Sequence, residues 1–213
     1  MINVYHIGFI GMKVALLNAH TAYSPGAVQT LEGFPTSEYY WSHKINTILL
    51  KLIQDNHPNN SSAIIDTSNI KPYNKSLSYK AFFVKRDGYD LTVETHLNSA
   101  VTKLATGIEV LYGIGRVESK NLATNLAESL AKFIPLKLRH GNGVIDRKNL
   151  YILKAIQCPS VIVEVLFLSN EKDKSYLTFP RSAEIIANSL YEGILNYIST
   201  KGVNINGGCA AGG

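Results

Sequence analysis

The feature that most constrains how this chain can fold is the regular alternation of short apolar runs with longer amphipathic stretches. Residues 13–19 (KVALLNA) form an apolar run ending in small polar residues, as a buried strand does. From about Ser37, Tyr40, Trp41, Ile45, Ile48, Leu49, Leu52 and Ile53 recur at three- and four-residue steps, which predicts a helix. Pro35, Thr36 and Ser37 supply its start, and Asn56-His57-Pro58 its end. Between these elements, residues 21–36 carry Pro25-Gly26 and Gly33 and read as a loop. Residues 63–66, 91–96, 107–111 and 161–168 read as further strands, and 77–84, 121–134 and 183–198 as helices. Strands alternating with helices predict an α/β fold, a mixed, mostly parallel twisted sheet flanked by helices on both faces.

The chain has 213 residues and 46% apolar side chains, enough for one domain with a core of its own. The pattern places that domain at 12–199, after an N-terminal extension at 1–11 and before a Gly/Ala-rich flexible tail at 200–213. Met12, directly before the first strand-like run, offers an alternative start. No apolar run approaches the ~20 residues that cross a bilayer. The first residues lack a cationic n-region and a small-residue cleavage site, so the expectation is synthesis in the cytoplasm without a signal peptide. Two cysteines, Cys158 and Cys209, cannot build a disulfide framework, and Cys158 beside Pro159 reads as a buried, inert thiol. The net charge of +5 attracts polyanions, including anionic wall polymers. With no block of like charges and no Arg-rich helix, nucleic acid is not the expected partner.

Chemistry enters through ionisable residues placed at strand ends. His20 follows VALLNA, His96 ends LTVETH, Glu164 interrupts VIVEVLFL, and Glu38 stands in the first turn of the helix that starts near Ser37. Open α/β sheets gather their sites beyond the carboxyl ends of the strands, so these groups can converge on one crevice. Two histidines and a glutamate are a ligand set for catalytic zinc, which polarises a carbonyl and acidifies water. A further carboxylate then carries the proton to the leaving group. On this reading His20, Glu38 and His96 hold one zinc ion per chain and Glu164 is the general base and acid. Each position also has a plainer reading. His20 and His96 can be hydrogen-bonded structural histidines, and Glu38 can complement the helix dipole, worth about 0.3–1 kcal/mol. Glu164 resists such a reading, because a carboxylate within an apolar strand costs several kcal/mol unless it is paired or neutralised.

Read in order from about Val14 to Ile198, the segments VALLNAH…SPGA, Glu38, DLTVETHLNSA, GIEVLYG and NLYILKAIQCPSVIVEVLFLSNEKD resemble the zinc-dependent N-acetylmuramoyl-L-alanine amidases of the amidase-3 type. The most specific segments are His96-Leu97-Asn98-Ser99-Ala100 and the run from Val163 to Asn170. The resemblance implies His20, Glu38 and His96 as zinc ligands and Glu164 as the catalytic carboxylate. It implies hydrolysis of the amide between the lactyl group of N-acetylmuramic acid and L-alanine in peptidoglycan. The sequence departs from the family's usual Gly-His-Gly at Ala19-His20-Thr21, and Glu32 rivals Glu38 in the preceding segment. Glu38 is preferred, because a helix start fixes a side chain better than a glycine-flanked loop does.

Asn98 and Asn170 read as ligand-orienting or loop-capping residues, and Glu109 as facing either substrate or solvent. Arg139, His140 and the Gly141-Asn142-Gly143 turn read as a substrate-lining loop or a surface turn, and His6, His43 and His57 as bystanders. With its basic charge, the domain is expected to be a phage-type lysin, acting on the wall after release from the cytoplasm. The rival readings are a zinc peptidase or carboxypeptidase cutting within the stem peptide, and a basic wall-binding adaptor that has lost the metal.

Overall fold

The computed structural model describes residues 12–201; the extension at 1–11, with His6, and the tail from 202, with Cys209, lie outside the described residues. Eight strands and six α-helices follow in the order β1 (Val14–Asn18), β2 (Val28–Leu31), β3 (Phe34–Ser37), α1 (Glu38–Asn56), β4 (Ala63–Ile65), α2 (Tyr73–Arg86), β5 (Leu91–Asn98), β6 (Glu109–Gly113), α3 (Val117–Phe133), β7 (Val144–Arg147), α4 (Tyr151–Ala155), β8 (Ser160–Phe167), α5 (Glu171–Ser175) and α6 (Ser182–Ser199). The six-stranded sheet has the order β4-β1-β5-β8-β6-β7. Every neighbouring pair is parallel except β8 and β6, so the sheet is mixed and mostly parallel, as the pattern predicts.

Side chains alternate along a strand, and the central strands use both faces. Val14, Leu16, Leu91, Val93, Val161, Val163 and Val165 join the larger core with the apolar sides of α1, α3 and α6. Ala15 and Leu17 face the other way and pack with α2 and α4 in a smaller core that includes Cys158. Cys158 is buried, with its sulfur 3.5 Å from Thr92 Oγ1. Gly193 lets α6 lie close on α3: a β-carbon there would fall 2.9 Å from Leu126 Cα. None of the described helices is long and apolar enough to cross a membrane.

The structure departs from the sequence pattern at several places. Residues 28–37, expected as loop, form the antiparallel hairpin β2–β3. Its two-residue turn, Glu32-Gly33, takes positive φ at both positions (49° and 82°), the geometry of a type I′ turn. Helices α2 and α3 each begin four residues before the expected start, because their first turns are polar and carry no apolar period. The edge strand β7 and the short helices α4 and α5 have no counterpart in the sequence reading. Strand β6 starts two residues later than expected, at Glu109.

Candidate metal centre

The carboxyl ends of β1 and β5 and the start of α1 meet at one edge of the sheet, and local chemistry fixes each of them. Ser37 caps α1, its Oγ accepting from the Tyr40 amide at 3.2 Å, a contact worth about 1 kcal/mol. The next free amides of that helix turn back onto the preceding segment: Glu38 N donates to Ala27 O at 2.9 Å and Tyr39 N to Pro25 O at 3.0 Å. Ser42, one turn on, ties the two strand ends together. Its Oγ accepts from Ala19 N at 2.7 Å and donates to Thr95 O at 2.6 Å. Asn46 extends the tie, donating to Leu17 O and Asn18 Oδ1 and accepting from Thr95 Oγ1. The residues after Asn18 and Thr95 that project from these ends are His20 and His96.

Glu38 lies between the two imidazoles. Its Oε2 is 3.0 Å from His20 Nε2 and its Oε1 is 2.7 Å from His96 Nδ1. One donor atom from each of the three residues lies within 4.8 Å of the other two. Ligand atoms on a tetrahedral zinc, with bonds of 2.0–2.2 Å, stand about 3.4 Å apart, so the trio needs to open only slightly to receive an ion. The electrostatics favour a cation at this point. Burial pushes Glu38 up, but hydrogen bonds to His20 and His96 outweigh it and hold the carboxyl at about 2. Burial likewise opposes charge on His96, yet the hydrogen bond to Glu38 and the nearby negative charge of Glu94 raise it to about 10. The cluster thus retains a proton between nitrogen and carboxylate donors, and a metal ion answers the same demand. These three residues are therefore a chemically suitable metal site.

Glu164 stands beside this trio. Its Cα is the register partner of His96 across β5 and β8, and of Glu109 across β8 and β6. Just beyond, the partner of Asn98 is Phe167, so β8 carries one extra residue next to the site, as a bulge does. Burial is the main cause that raises the Glu164 carboxyl to about 7. The negative charges of Glu38, Glu109 and Glu94 add to it, against the opposing pull of His96. Glu164 Oε2 and His96 Nε2 are buried and make no hydrogen bond. A carboxyl with that acidity and an unengaged oxygen can take up a proton and give it back near neutral pH.

The structure brings His20, Glu38, His96 and Glu164 together and separates the rival. Glu32 sits exposed at the tip of the β2–β3 hairpin. His20 itself takes φ 61°, in the left-handed region, while its neighbours Ala19 and Thr21 do not. His43 bonds Asn18 and stacks on Tyr39, and His57 lies against Tyr191. Asn170 caps α5, accepting from Lys172 N and Asp173 N, and Asn98 donates to Glu109 Oε2. Glu109, read as facing substrate or solvent, does not face solvent: it is buried and paired with Arg139 Nε at 2.5 Å, while Arg139 covers the Phe167 ring. His140, next in that segment, is largely exposed with φ 51°.

Three contributions escaped the sequence reading. Gly26, read only as a breaker, has φ 73°, and a β-carbon there would fall within 2.6 Å of Glu38 Oε2 and the His20 ring. Tyr73 stacks on His20 with centroids 5.3 Å apart. Lys80 and Glu94 form a buried ion pair behind His96. For Glu94 the signal was present, since it interrupts an apolar strand as Glu164 does.

This sheet, with its cluster at the carboxyl edge, defines a class, and comparison gives it a family. The chain matches N-acetylmuramoyl-L-alanine amidase of the amidase-3 type over residues 14–196 and belongs to that family. It is 30% identical over 135 residues to an uncharacterized cell wall amidase of Bacillus anthracis, a match covering 62% of this chain and 25% of that protein. The chain thus spans about a quarter of that relative's length. Among solved structures, it resembles the CwlD amidase of Clostridioides difficile, determined in complex with the GerS lipoprotein. The TM-score is 0.79, with 27% identity and coverage of 89% of this chain and 99% of that one. It also resembles the catalytic domain of the CD27L endolysin targeting Clostridia difficile, with a TM-score of 0.70, 28% identity and coverage of 87% and 97%.

Proposed function

We propose that this chain hydrolyses the amide between the lactyl group of N-acetylmuramic acid and L-alanine in peptidoglycan, using one zinc ion held by His20, Glu38 and His96. The observation that carries the reading is the convergence of three metal-ligating side chains with a fourth, half-buried carboxyl at one sheet edge. Family membership across 14–196 supports the bond cleaved. When bound, zinc supplies Lewis acidity toward the amide carbonyl and lowers the pKa of water.

Glu164 takes a proton from the attacking water as the new C–O bond forms. As the C–N bond breaks it returns that proton to the departing L-alanine nitrogen. Its carboxyl, raised to about 7 first by burial and then by neighbouring carboxylates, has the acidity for both transfers. Glu38 contributes a carboxylate that stays ionised, and the Tyr73 ring fixes the plane of His20.

Digestion of purified peptidoglycan with and without a chelator, followed by mass analysis, tests this. Chelator-sensitive release of intact stem peptides from lactyl groups is expected. Shortened peptides would identify a peptidase and overturn the amidase reading, and binding without cleavage would identify an adaptor.

We also propose a phage-type role, in which the enzyme is made in the cytoplasm and reaches the wall at lysis. Its likeness to an endolysin catalytic domain and its net charge of +5, attractive to anionic wall polymers, support this. Expression inside a susceptible host should leave cells intact until the membrane is permeabilised, and lysis should weaken as salt rises. Export without permeabilisation overturns the route, and salt-insensitive lysis removes the role of charge.

A further inference from the structure

Behind His96 lies an ion pair that the proposed chemistry does not use. Lys80, on α2, is 0% exposed and Glu94, on β5, is 2% exposed, with Nζ 2.7 Å from Oε1. Lys80 Nζ also donates to Asn18 O, at the end of β1, at 2.5 Å. One ammonium therefore spans the two strand ends that carry His20 and His96. Burying both charges is a costly way to fasten a helix to a sheet, since apolar residues of similar volume serve stability as well or better.

The second oxygen of Glu94 points at the imidazole: Oε2 is 3.5 Å from His96 Nε2, a buried nitrogen with no hydrogen bond. The ring's other nitrogen, Nδ1, faces Glu38. A neutral imidazole that offers its Nδ1 lone pair must carry its proton on Nε2, and a buried N–H needs an acceptor. A shift of about 0.5 Å brings Nε2 to ordinary hydrogen-bond distance from Glu94.

We propose that Lys80 and Glu94 are a positioning pair for His96: Glu94 accepts the Nε2–H so that Nδ1 is presented to the cation, and Lys80 holds Glu94 in place. This inference rests on the zinc reading above. Carboxylate partners of metal-bound histidines fix the tautomer and ring orientation, and losing one lowers metal affinity about 10- to 100-fold.

The test uses the full chain. Zinc affinity is measured by competition with a chromophoric chelator in wild type, K80R and the double variant K80M/E94Q, which removes both charges and leaves neither stranded. Folding is followed by circular dichroism. In zinc-loaded, nitrogen-15-labelled wild type, histidine NMR reports which His96 nitrogen carries the proton. The expected results are an Nε2 proton in wild type, wild-type affinity in K80R, and affinity about 10- to 100-fold weaker in the folded double variant. A pair that merely fastens α2 to the sheet would leave zinc affinity unchanged, and that result overturns the proposal. So does an Nδ1 proton on His96 in wild type, a measurement that needs no variant to fold. Wild type that takes up no zinc overturns the metal site itself and this inference with it, whereas normal wild-type uptake with an unaffected double variant overturns the pair alone.

Discussion

The two faces of β5 meet opposite kinds of neighbour. Leu91, Val93 and Leu97 face the larger core, with none of their surface exposed. Thr92, Glu94 and His96, in the alternate positions, reach a sulfur, an ammonium and a carboxylate. The comparison teaches a division of labour along a strand of period two. The apolar side sets where the strand lies, and the polar side spends that placement on a cluster that would not hold itself together. Changes on the first side should therefore lower stability, and changes on the second should alter chemistry in a molecule that still folds.

The largest effect expected is on the chemical side. Glu164→Gln keeps the shape of the side chain but removes its proton traffic, and turnover should fall about 100- to 10,000-fold. Zinc content and circular dichroism should stay as in wild type; retained lytic activity would remove Glu164 from its role. On the core side, Leu97→Ala should cost about 2–5 kcal/mol of unfolding free energy in denaturant titration. Activity per folded molecule should be preserved, and a selective loss of turnover would break the division.

Acidity sharpens the comparison, because the polar side alone titrates. Glu164 rises from 4.5 to about 7 on folding, so ionising it destabilises the zinc-free protein progressively as pH climbs from 4.5 through 7. At about 1.4 kcal/mol per unit the loss approaches about 3 kcal/mol, and it should vanish in Glu164→Gln. Glu38 works the other way: its contribution is present above 4.5 and is lost as pH falls toward 2. His96 contributes fully below 6.5, and that contribution is lost as pH rises through about 10. Thermal melts of the zinc-free protein across pH 3–10 check the three windows together, and a profile unchanged by Glu164→Gln would contradict the assignment.

The smallest effect expected is at Gly26. Alanine there pays about 1–2 kcal/mol for a left-handed backbone and presses a methyl group on Glu38 and His20. Zinc affinity should drop about tenfold or more, a loss of about 1.4 kcal/mol. Chelator competition on the purified variant measures it.

The contrast between faces also explains what the sequence could disclose. Strands β1 and β8 were legible because burial on both faces makes them nearly continuously apolar, β5 because it is rich in β-branched residues, and α1 because Trp41, Ile45 and Leu49 keep a helical period. The four residues of the cluster were legible because each is an ionisable group at a strand end, in an apolar run or at a helix start. The hairpin at 28–37 was hidden by Pro25, Gly26, Gly33 and Pro35, which read as breakers, and its short strands bury little. The solvent-facing alternative for Glu109 fails because its neutralising partner, Arg139, lies thirty residues away in sequence. Lys80 was invisible for a related reason, since a lysine on an amphipathic helix announces nothing until the fold presents Glu94 to it.

The reversed direction of β6 has one more consequence. Strands β5 and β6 flank β8, and the second runs back against it, so the chain leaves β5 and enters β6 at the same edge. Residues 99–108 must then arch over the end of β8, with Val101 and Leu104 turned outward. That arch starts just after His96, at the sheet edge that carries the cluster, and its outward tip takes no part in strand pairing. Changing the length of that tip alters the rim beside the cluster without breaking a strand pairing.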